Sequence, residues 1–160
     1  PLAIMGIDPG TTTGLALVTV EYSPKLLHTN TVKAVDCDVI AQKVQSVLSR
    51  EPGAWRLPHQ SAVVIEDQYL GPNVRSMVKI VRIAAYWELA ARICGAPVKY
   101  VPASTWQSSV LGIKASATRA MRKKKAIELA GALWPEQKFN EHIADAALMA
   151  RREALNCFRG

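Results

Sequence analysis

The stretch that decides the fold is IMGIDPGTTTGL, residues 4–15. Residues 2–7 form an apolar run of the length of a buried strand, and the run ends on Asp8. Pro9 and Gly10 follow at once; because proline cannot donate to a strand ladder and glycine permits a tight turn, the chain is predicted to fold back here. Residues 14–20, GLALVTV, predict the paired strand. The chain is therefore expected to open with a β-hairpin that holds one carboxylate at its mouth.

A second strand ends in the same way as the first. Asp-Pro-Gly alone is ordinary turn chemistry and needs no function to explain it. Residues 61–65, however, also predict a buried strand, and this strand also ends on an acid, Glu66. If the two strands lie parallel and adjacent, Asp8 and Glu66 emerge at the C-terminal edge, where open α/β sheets bind ligands. Asp67 should point to the opposite face, since side chains alternate along a strand.

The composition predicts one globular domain with excess positive charge. The 160 residues are 49% hydrophobic and 21% charged, which is typical of a folded domain spanning residues 1–160. Apolar runs fall short of the roughly 18 residues of a membrane span and no secretory signal is visible, so a cytoplasmic protein without membrane partners is expected. Three widely spaced cysteines, Cys37, Cys94 and Cys157, form no metal-binding pattern and are expected to be reduced thiols.

The charge balance is more informative than the composition. Twenty Lys and Arg against 13 Asp and Glu give a net charge of +7. Such an excess favours an anionic partner, nucleic acid above all, although a merely soluble basic protein would show the same balance.

The rest of the chain alternates between strand and helix patterns. The expected elements are strands at 28–35 and 98–101, helices at 39–50, 74–93 and 116–132, and a final helix from 141. Asn73 and Asn140 can cap the helices that they precede, and either Ser116 or Thr118 can cap the basic helix. Residues 102–110 predict no more than a helical turn.

The final helix begins with further candidates for a site. Asp145 shares one helical face with His142, three residues earlier, and with Glu141, four residues earlier, so spacing does not choose between them. A lone histidine near a helix start is more often a cap or a surface residue than a ligand. Four small residues would let this helix approach the sheet closely, namely Ala144, Ala146, Ala147 and Ala150.

Together these acids predict a metal site. A cluster of Asp8, Glu66 and Asp145, with His142 or Glu141, would be destabilising without cations, because like charges repel and burying charge is expensive. Carboxylates suit Mg²⁺ or Mn²⁺, and an imidazole shifts the preference somewhat towards Mn²⁺. Two such ions about 4 Å apart can activate a water and hold a scissile phosphate. The basic surface would then bind the polyphosphate that is cut.

Several motifs in this order resemble the RuvC family of Holliday-junction resolvases, within the ribonuclease H-like superfamily. They are the GIDPGTTTG opening, the VVIE strand ending on Glu66, Tyr69 and Asn73 after it, GAPVKYVP at 95–102, VLGI at 110–113 and HIADA at 142–146. Each motif is weak alone, but their order and spacing are specific and cover nearly the whole chain. The resemblance implies an α/β, ribonuclease H-like fold with a five-stranded mixed sheet flanked by helices.

The resemblance also implies a function. Members of the family are homodimers that nick opposing strands of a four-way junction symmetrically, leaving 5′-phosphate and 3′-hydroxyl ends. Asp8, Glu66 and Asp145 match the family's acidic metal ligands, and His142 stands where members have an aspartate or a histidine. The implied cofactor is Mg²⁺ or Mn²⁺, two ions per active site. The implied setting is the nucleoid of a bacterial or phage-infected cell, with a branch-migration motor as a potential partner.

Contacts with DNA are expected from polar and basic residues outside the acidic cluster. The candidates are Tyr69, Asn73, Arg75, Lys114, Arg119, Arg122 and Lys123. Tyr69 matches an aromatic position on the loop that reaches the opened junction, where it could stack on a base or, alternatively, pack in the core. A basic helix face also serves solubility. Gln107 departs from the family, which has a lysine near this point, and the neighbouring Trp106 is interpreted as structural.

Three other functions match parts of the pattern. One is a nuclease of broader branched-DNA specificity, and another is a catalytically silent junction-binding module. The third is an actin-like or sugar-kinase type of ATPase, which also uses an Asp-x-Gly-Thr-Thr hairpin to hold nucleotide phosphate. Such ATPases need two domains of this kind and more chain than 160 residues, so this interpretation is the least favoured.

Overall fold

The structure, a computed structural model, describes residues 2–33, 61–67, 73–114 and 116–159. These residues form five strands and four helices. The strands are β1 (Ala3–Asp8), β2 (Thr12–Thr19), β3 (Leu26–Lys33), β4 (Ser61–Asp67) and β5 (Val98–Pro102), and the helices are α1 (Val74–Ile93), α2 (Ala103–Leu111), α3 (Arg119–Leu133) and α4 (Glu141–Arg159). The helix predicted at 39–50 and Tyr69 lie outside the described residues. None of these four helices is long and apolar enough to cross a membrane.

The five strands form one mixed sheet in the order β3-β2-β1-β4-β5. β1 and β2 are antiparallel, as are β2 and β3, whereas β1, β4 and β5 run parallel. The two strands that end in acids are therefore parallel and adjacent, which is the arrangement that brings their acids to one edge. Ile7 lies opposite Ile65 in this pairing, so the next residues, Asp8 and Glu66, emerge beside each other at the C-terminal edge.

Alternation along the strands divides their side chains between two cores. Odd-numbered residues of β1 and β4, such as Met5, belong to a cluster with Trp87 of α1. Even-numbered residues, such as Val64, belong to a second cluster with Trp106 of α2 and Leu148 of α4. Because both acids occupy even positions, they lie on the face that is covered by α2, α3 and α4.

Helix α4 lies against the sheet because two strand glycines leave room for its backbone. A Cβ on Gly6 would lie 2.0 Å from the carbonyl oxygen of Ala146, and a Cβ on Gly14 would lie 2.1 Å from that of His142. The helix residues on this side are small and fully buried, namely Ala144, Ala146, Ala147 and Ala150. The predicted close approach is confirmed, and it brings the first turn of α4 to the edge that carries the acids.

The starts of β2 and β3 differ from the prediction by two residues each. β2 begins at Thr12 rather than at residue 14, because Thr12 and Thr13 already pair with β3. The buried Thr13 hydroxyl donates to the Gly10 carbonyl at 3.1 Å, so a threonine predicted to lie in the turn also closes it. β3 is an edge strand as predicted but begins two residues earlier, at Leu26.

The helix caps agree with the predictions, whereas the length of one helix does not. Asn73 and Asn140 each accept a hydrogen bond from the backbone three residues on, which confirms them as caps. Thr118 caps α3, so the alternative cap Ser116 is wrong. Residues 103–111 form a nine-residue helix rather than one turn. Two buried residues, Trp106 and Leu111, stabilise this helix by packing, although its helix propensity is modest. The helix ends at Gly112, which has a φ of 58°.

Candidate active site

The C-terminal ends of β1 and β4 meet the first turn of α4 at one acidic site. Asp8 Oδ2 lies 3.0 Å from Nδ1 of His142. Burial is the main cause that raises the pKa of Asp145, and the negative charges of the neighbouring Asp8 and Glu66 raise it further. The structure thus brings together the four residues predicted from the sequence, although they come from three distant parts of the chain.

Burial and mutual repulsion raise the pKa of all three carboxyls. Burial is the largest cause in each case, and neighbouring acids add to it; the pKa of Asp145 rises to about 8 and that of Glu66 to about 7. The pKa of Asp8 is also raised by burial, against the opposing effect of its hydrogen bond with His142. Such a site favours protons or a cation over three bare carboxylates.

His142 and Glu141, which spacing left as alternatives, have different partners. His142 contacts Asp8, and this hydrogen bond is the main cause that raises the pKa of the imidazole. Glu141 forms an ion pair with Lys123, whose hydrogen bond holds the pKa of Glu141 below its usual value. Oε1 of Glu141 also lies 3.4 Å from Nε2 of His142. The imidazole of His142 therefore contacts Asp8 directly, whereas Glu141 contacts His142 and Lys123.

The chemistry of this donor set fits a hard divalent cation. Three carboxylates supply oxygen ligands and His142 supplies one nitrogen. Across the described residues, no three His, Cys, Asp or Glu side chains already converge on one point as metal ligands do. The donors are therefore neighbours that a cation would still have to gather, and its positive charge would offset both the burial and the mutual repulsion of the carboxylates.

Basic side chains of α3 lie beside the acids. Arg119 is exposed, and its charge lowers the pKa of Glu66. Lys123 forms the ion pair described above, and its charge lowers the pKa of Asp145. Arg122 has a structural contact, because its Nε donates to the carbonyl of Ala117 at 3.0 Å in the loop before the helix. Of the three predicted DNA contacts on α3, Arg119 and Lys123 thus act electrostatically on the acidic site.

Three other predicted DNA contacts lie within the described residues. Asn73 accepts from the backbone N–H of Ser76 at 3.2 Å and is engaged as the cap of α1. Arg75 and Lys114 are exposed. Their assignment to DNA stays a prediction.

Trp106 joins the site unexpectedly, since the sequence indicated only a structural role. Its Nε1 donates to Oε2 of Glu66 at 2.7 Å, and the indole is fully buried. The contact joins residues 40 positions apart on different elements. No spacing rule would have found it, because the position of α2 over the sheet is decided by tertiary packing.

Comparison with known proteins finds a structural match over nearly the whole chain and a sequence match over part of it. No profile of a known family matches the chain. Over 103 residues the chain is 32% identical to the crossover junction endodeoxyribonuclease RuvC of Chlamydia felis (strain Fe/C-56), and this match spans 62% of the chain and 61% of that relative's length.

Two solved structures of Thermus thermophilus RuvC match nearly the whole chain. RuvC in complex with a Holliday junction substrate gives a TM-score of 0.76 at 24% identity and covers 99% of this chain and 96% of that one. A second structure of Thermus thermophilus RuvC gives a TM-score of 0.74 with the same identity and coverage. The likeness inferred from sequence motifs is confirmed, and so is the fold, a five-stranded mixed sheet of the ribonuclease H-like type flanked by helices.

Proposed function

We propose that this chain, a relative of RuvC in sequence and fold, is a metal-dependent endonuclease that resolves four-way DNA junctions by paired symmetric nicks. The observation that carries the proposal is the meeting of Asp8, Glu66 and Asp145 at one sheet edge, with His142 against Asp8. The relatives support the substrate, since one is described as a crossover junction endodeoxyribonuclease and another was solved with a Holliday junction.

Asp8, Glu66, Asp145 and His142 would hold Mg²⁺ or Mn²⁺, with two ions per site. When bound, such a pair supplies an activated water for attack on phosphorus and stabilises the leaving 3′ oxygen, which gives 5′-phosphate and 3′-hydroxyl ends. The raised pKa values of Glu66 and Asp145 support this assignment, because burial and, after it, neighbouring acids disfavour their negative charge, which a bound cation would stabilise.

The surrounding side chains would orient the substrate. His142 holds Asp8 from the helix side, and Arg119 and Lys123 present positive charge next to the acids. These positively charged side chains would bind the phosphates that flank the cleaved bond. Further along α3, Lys124 and Lys125 are exposed and extend the basic surface away from the site.

A homodimer would match the two-fold symmetry of a four-way junction. Helix α1 supports this part of the proposal, because its side away from the sheet carries apolar side chains that are 43% to 77% exposed. They are Val74, Val78, Val81, Leu89 and Ile93. Their spacing aligns them along one side of the helix, and a second copy of the same helix would remove them from water.

Cleavage of a labelled four-way junction with Mg²⁺ or Mn²⁺ tests the proposal. We expect paired, ligatable nicks that disappear in Asp8→Asn and Glu66→Gln while junction binding persists. Equal cleavage of flaps would favour a nuclease of broader branched-DNA specificity. Tight binding without cleavage in either metal would favour a silent junction-binding module, and nucleotide binding by calorimetry would favour the ATPase interpretation.

The dimer and the cellular setting are tested separately. Sedimentation at working concentration should give twice the chain mass. A charged substitution among the exposed apolar residues of α1, Val81→Glu, should reduce the mass to that of a monomer. Action on junctions would place the protein in the cytoplasm of a bacterial or phage-infected cell, at the nucleoid, where a branch-migration motor would be a further partner.

A further inference from the structure

Trp106 links the buried core to a proposed metal ligand. The indole is 0% exposed and belongs to the same core cluster as Val64 of β4, Leu111 of α2 and Leu148 of α4. The ring is therefore buried in a core that residues of three elements form, and this packing restricts the direction of its N–H. That N–H points to Oε2 of Glu66 at 2.7 Å.

The chemistry of the indole suits it to orienting a carboxylate that binds metal. An indole N–H only donates, so it can hold a carboxylate oxygen without binding a cation itself. It is also neutral, whereas a lysine in its place would bring a positive charge that opposes a metal ion. An ionised carboxylate has about four acceptor positions on its two oxygens, so the contact with Trp106 leaves Glu66 able to bind a metal at the same time.

We propose that Trp106 is a positioning residue, whose N–H fixes the carboxylate of Glu66 in the orientation that binds the divalent cation. This inference rests on the proposed metal site. Partners that orient metal ligands in this way typically change metal affinity 10- to 100-fold when removed. The simpler alternative is that Glu66 only satisfies a buried N–H, in which case the contact would matter for stability alone.

Nuclear magnetic resonance reads the contact directly in the folded protein. The chain has four tryptophans and thus four indole N–H signals, and Trp106→Phe identifies the one of interest. In the absence of DNA, Mg²⁺ is expected to move the Trp106 signal. The Trp87 signal should stay in place, because Trp87 lies in the core on the opposite face of the sheet.

A second variant gives the same information without removing the indole. Glu66→Gln should shift the Trp106 signal without metal, since an amide oxygen is a weaker acceptor than a carboxylate. This variant identifies the signal even if Trp106→Phe does not fold. A Trp106 signal that ignores both Mg²⁺ and Glu66→Gln would overturn the proposal.

Calorimetry with Mn²⁺ separates positioning from packing. Trp106→Phe is expected to bind Mn²⁺ about 10-fold more weakly than wild type, and Trp87→Phe to bind it equally well. Trp87→Phe is the matched control because it removes the same atoms from an indole that is also almost fully buried, at 1% exposure. Equal Mn²⁺ affinities in the two variants would refute the proposal, whether both are weakened or neither is.

The nuclease assay distinguishes failure of this inference from failure of the proposed function. Weakened Mn²⁺ binding by Trp106→Phe in a protein that never cuts a junction would refute the nuclease and leave the positioning role intact. Efficient junction cleavage together with wild-type Mn²⁺ affinity in Trp106→Phe would support the nuclease and refute the positioning role. If the protein is a nuclease and Trp106 positions Glu66, Trp106→Phe should need more Mn²⁺ for half-maximal cleavage but approach the wild-type rate at saturating Mn²⁺.

Discussion

The two faces of the sheet are built from alternate residues of the same strands, yet among the described residues the acidic site lies on one face alone. The face under α1 is filled by large side chains, including Met5, Ile65 and Trp87. On the opposite face the strands carry Gly6 and Gly14, and α4 meets them with alanines. Removing side-chain volume lets a helix backbone come close to a sheet. That closeness allows acids from a strand end and from a helix to face one another.

The largest expected effect comes from restoring volume on the α4 face. In Gly14→Ala the new Cβ would lie 2.1 Å from the carbonyl oxygen of His142, and a backbone atom cannot move aside cheaply. We expect a loss of at least about 3 kcal/mol in unfolding free energy by urea denaturation, together with loss of Mn²⁺ binding.

Gly131→Ala is the matched control for this substitution. Gly131 lies within α3, and a Cβ there would meet nothing within 4 Å. Alanine should therefore stabilise the helix by up to about 1 kcal/mol and leave Mn²⁺ binding unchanged. If Gly14→Ala behaved like Gly131→Ala, the close approach of α4 would not be what builds the site.

The pH dependence of stability should sharpen the same contrast. The pKa of Asp145 is raised to about 8 and that of Glu66 to about 7, so the folded metal-free protein keeps protons that the unfolded chain has released. Stability should therefore fall as pH rises from about 4 to about 8, because each unit by which a folded pKa exceeds its unfolded value costs up to about 1.4 kcal/mol of stability at high pH. Urea denaturation in a chelator at several pH values measures it.

Two variants and added Mn²⁺ test the cause of this fall in stability with pH. Asp145→Asn should flatten it, whereas Asp67→Asn should not, because Asp67 is exposed at the end of the same strand as Glu66. Adding Mn²⁺ should restore the stability lost at pH 8. A metal-free protein whose stability rises across this range would contradict the role of the buried carboxyls.

Replacing the two adjacent residues at the start of α4 should have unequal effects. His142→Ala removes the group bonded to Asp8 and is expected to lower Mn²⁺ affinity and junction cleavage about 100-fold. Glu141→Ala removes the partner of Lys123 and should lower them less than about 10-fold. Titrating cleavage against metal concentration compares the two, and the opposite order would make Glu141 the ligand.

The smallest expected effect concerns the basic surface. Arg119 is exposed and acts on Glu66 only through its charge, so Arg119→Ala should leave folding unchanged. It should weaken junction binding and reduce the salt dependence of the binding constant by about one phosphate contact. Lys114→Ala is a useful comparison, because an unchanged salt slope there would remove Lys114 from the interface.

The strand ends were predictable because their signals are local. An apolar run that closes on a carboxylate identifies Asp8 and Glu66 without any knowledge of the fold. The caps Asn73 and Asn140 were predictable for the same reason, since a cap bonds its own helix. The length of α2 was not, because its stability comes from Trp106 and Leu111 packing on other elements.

By itself, the sequence determined the hairpin, the strands that end in acids, the small residues of α4 and the family resemblance. The first three follow from alternation, spacing or composition within a short segment, and the resemblance follows from the order of short motifs along the chain. Only the tertiary structure decided that His142 rather than Glu141 adjoins Asp8, and that Trp106 bonds Glu66. These contacts depend on how far a helix slides and turns on the sheet. Packing between elements distant in the chain sets that position, and no local pattern encodes it.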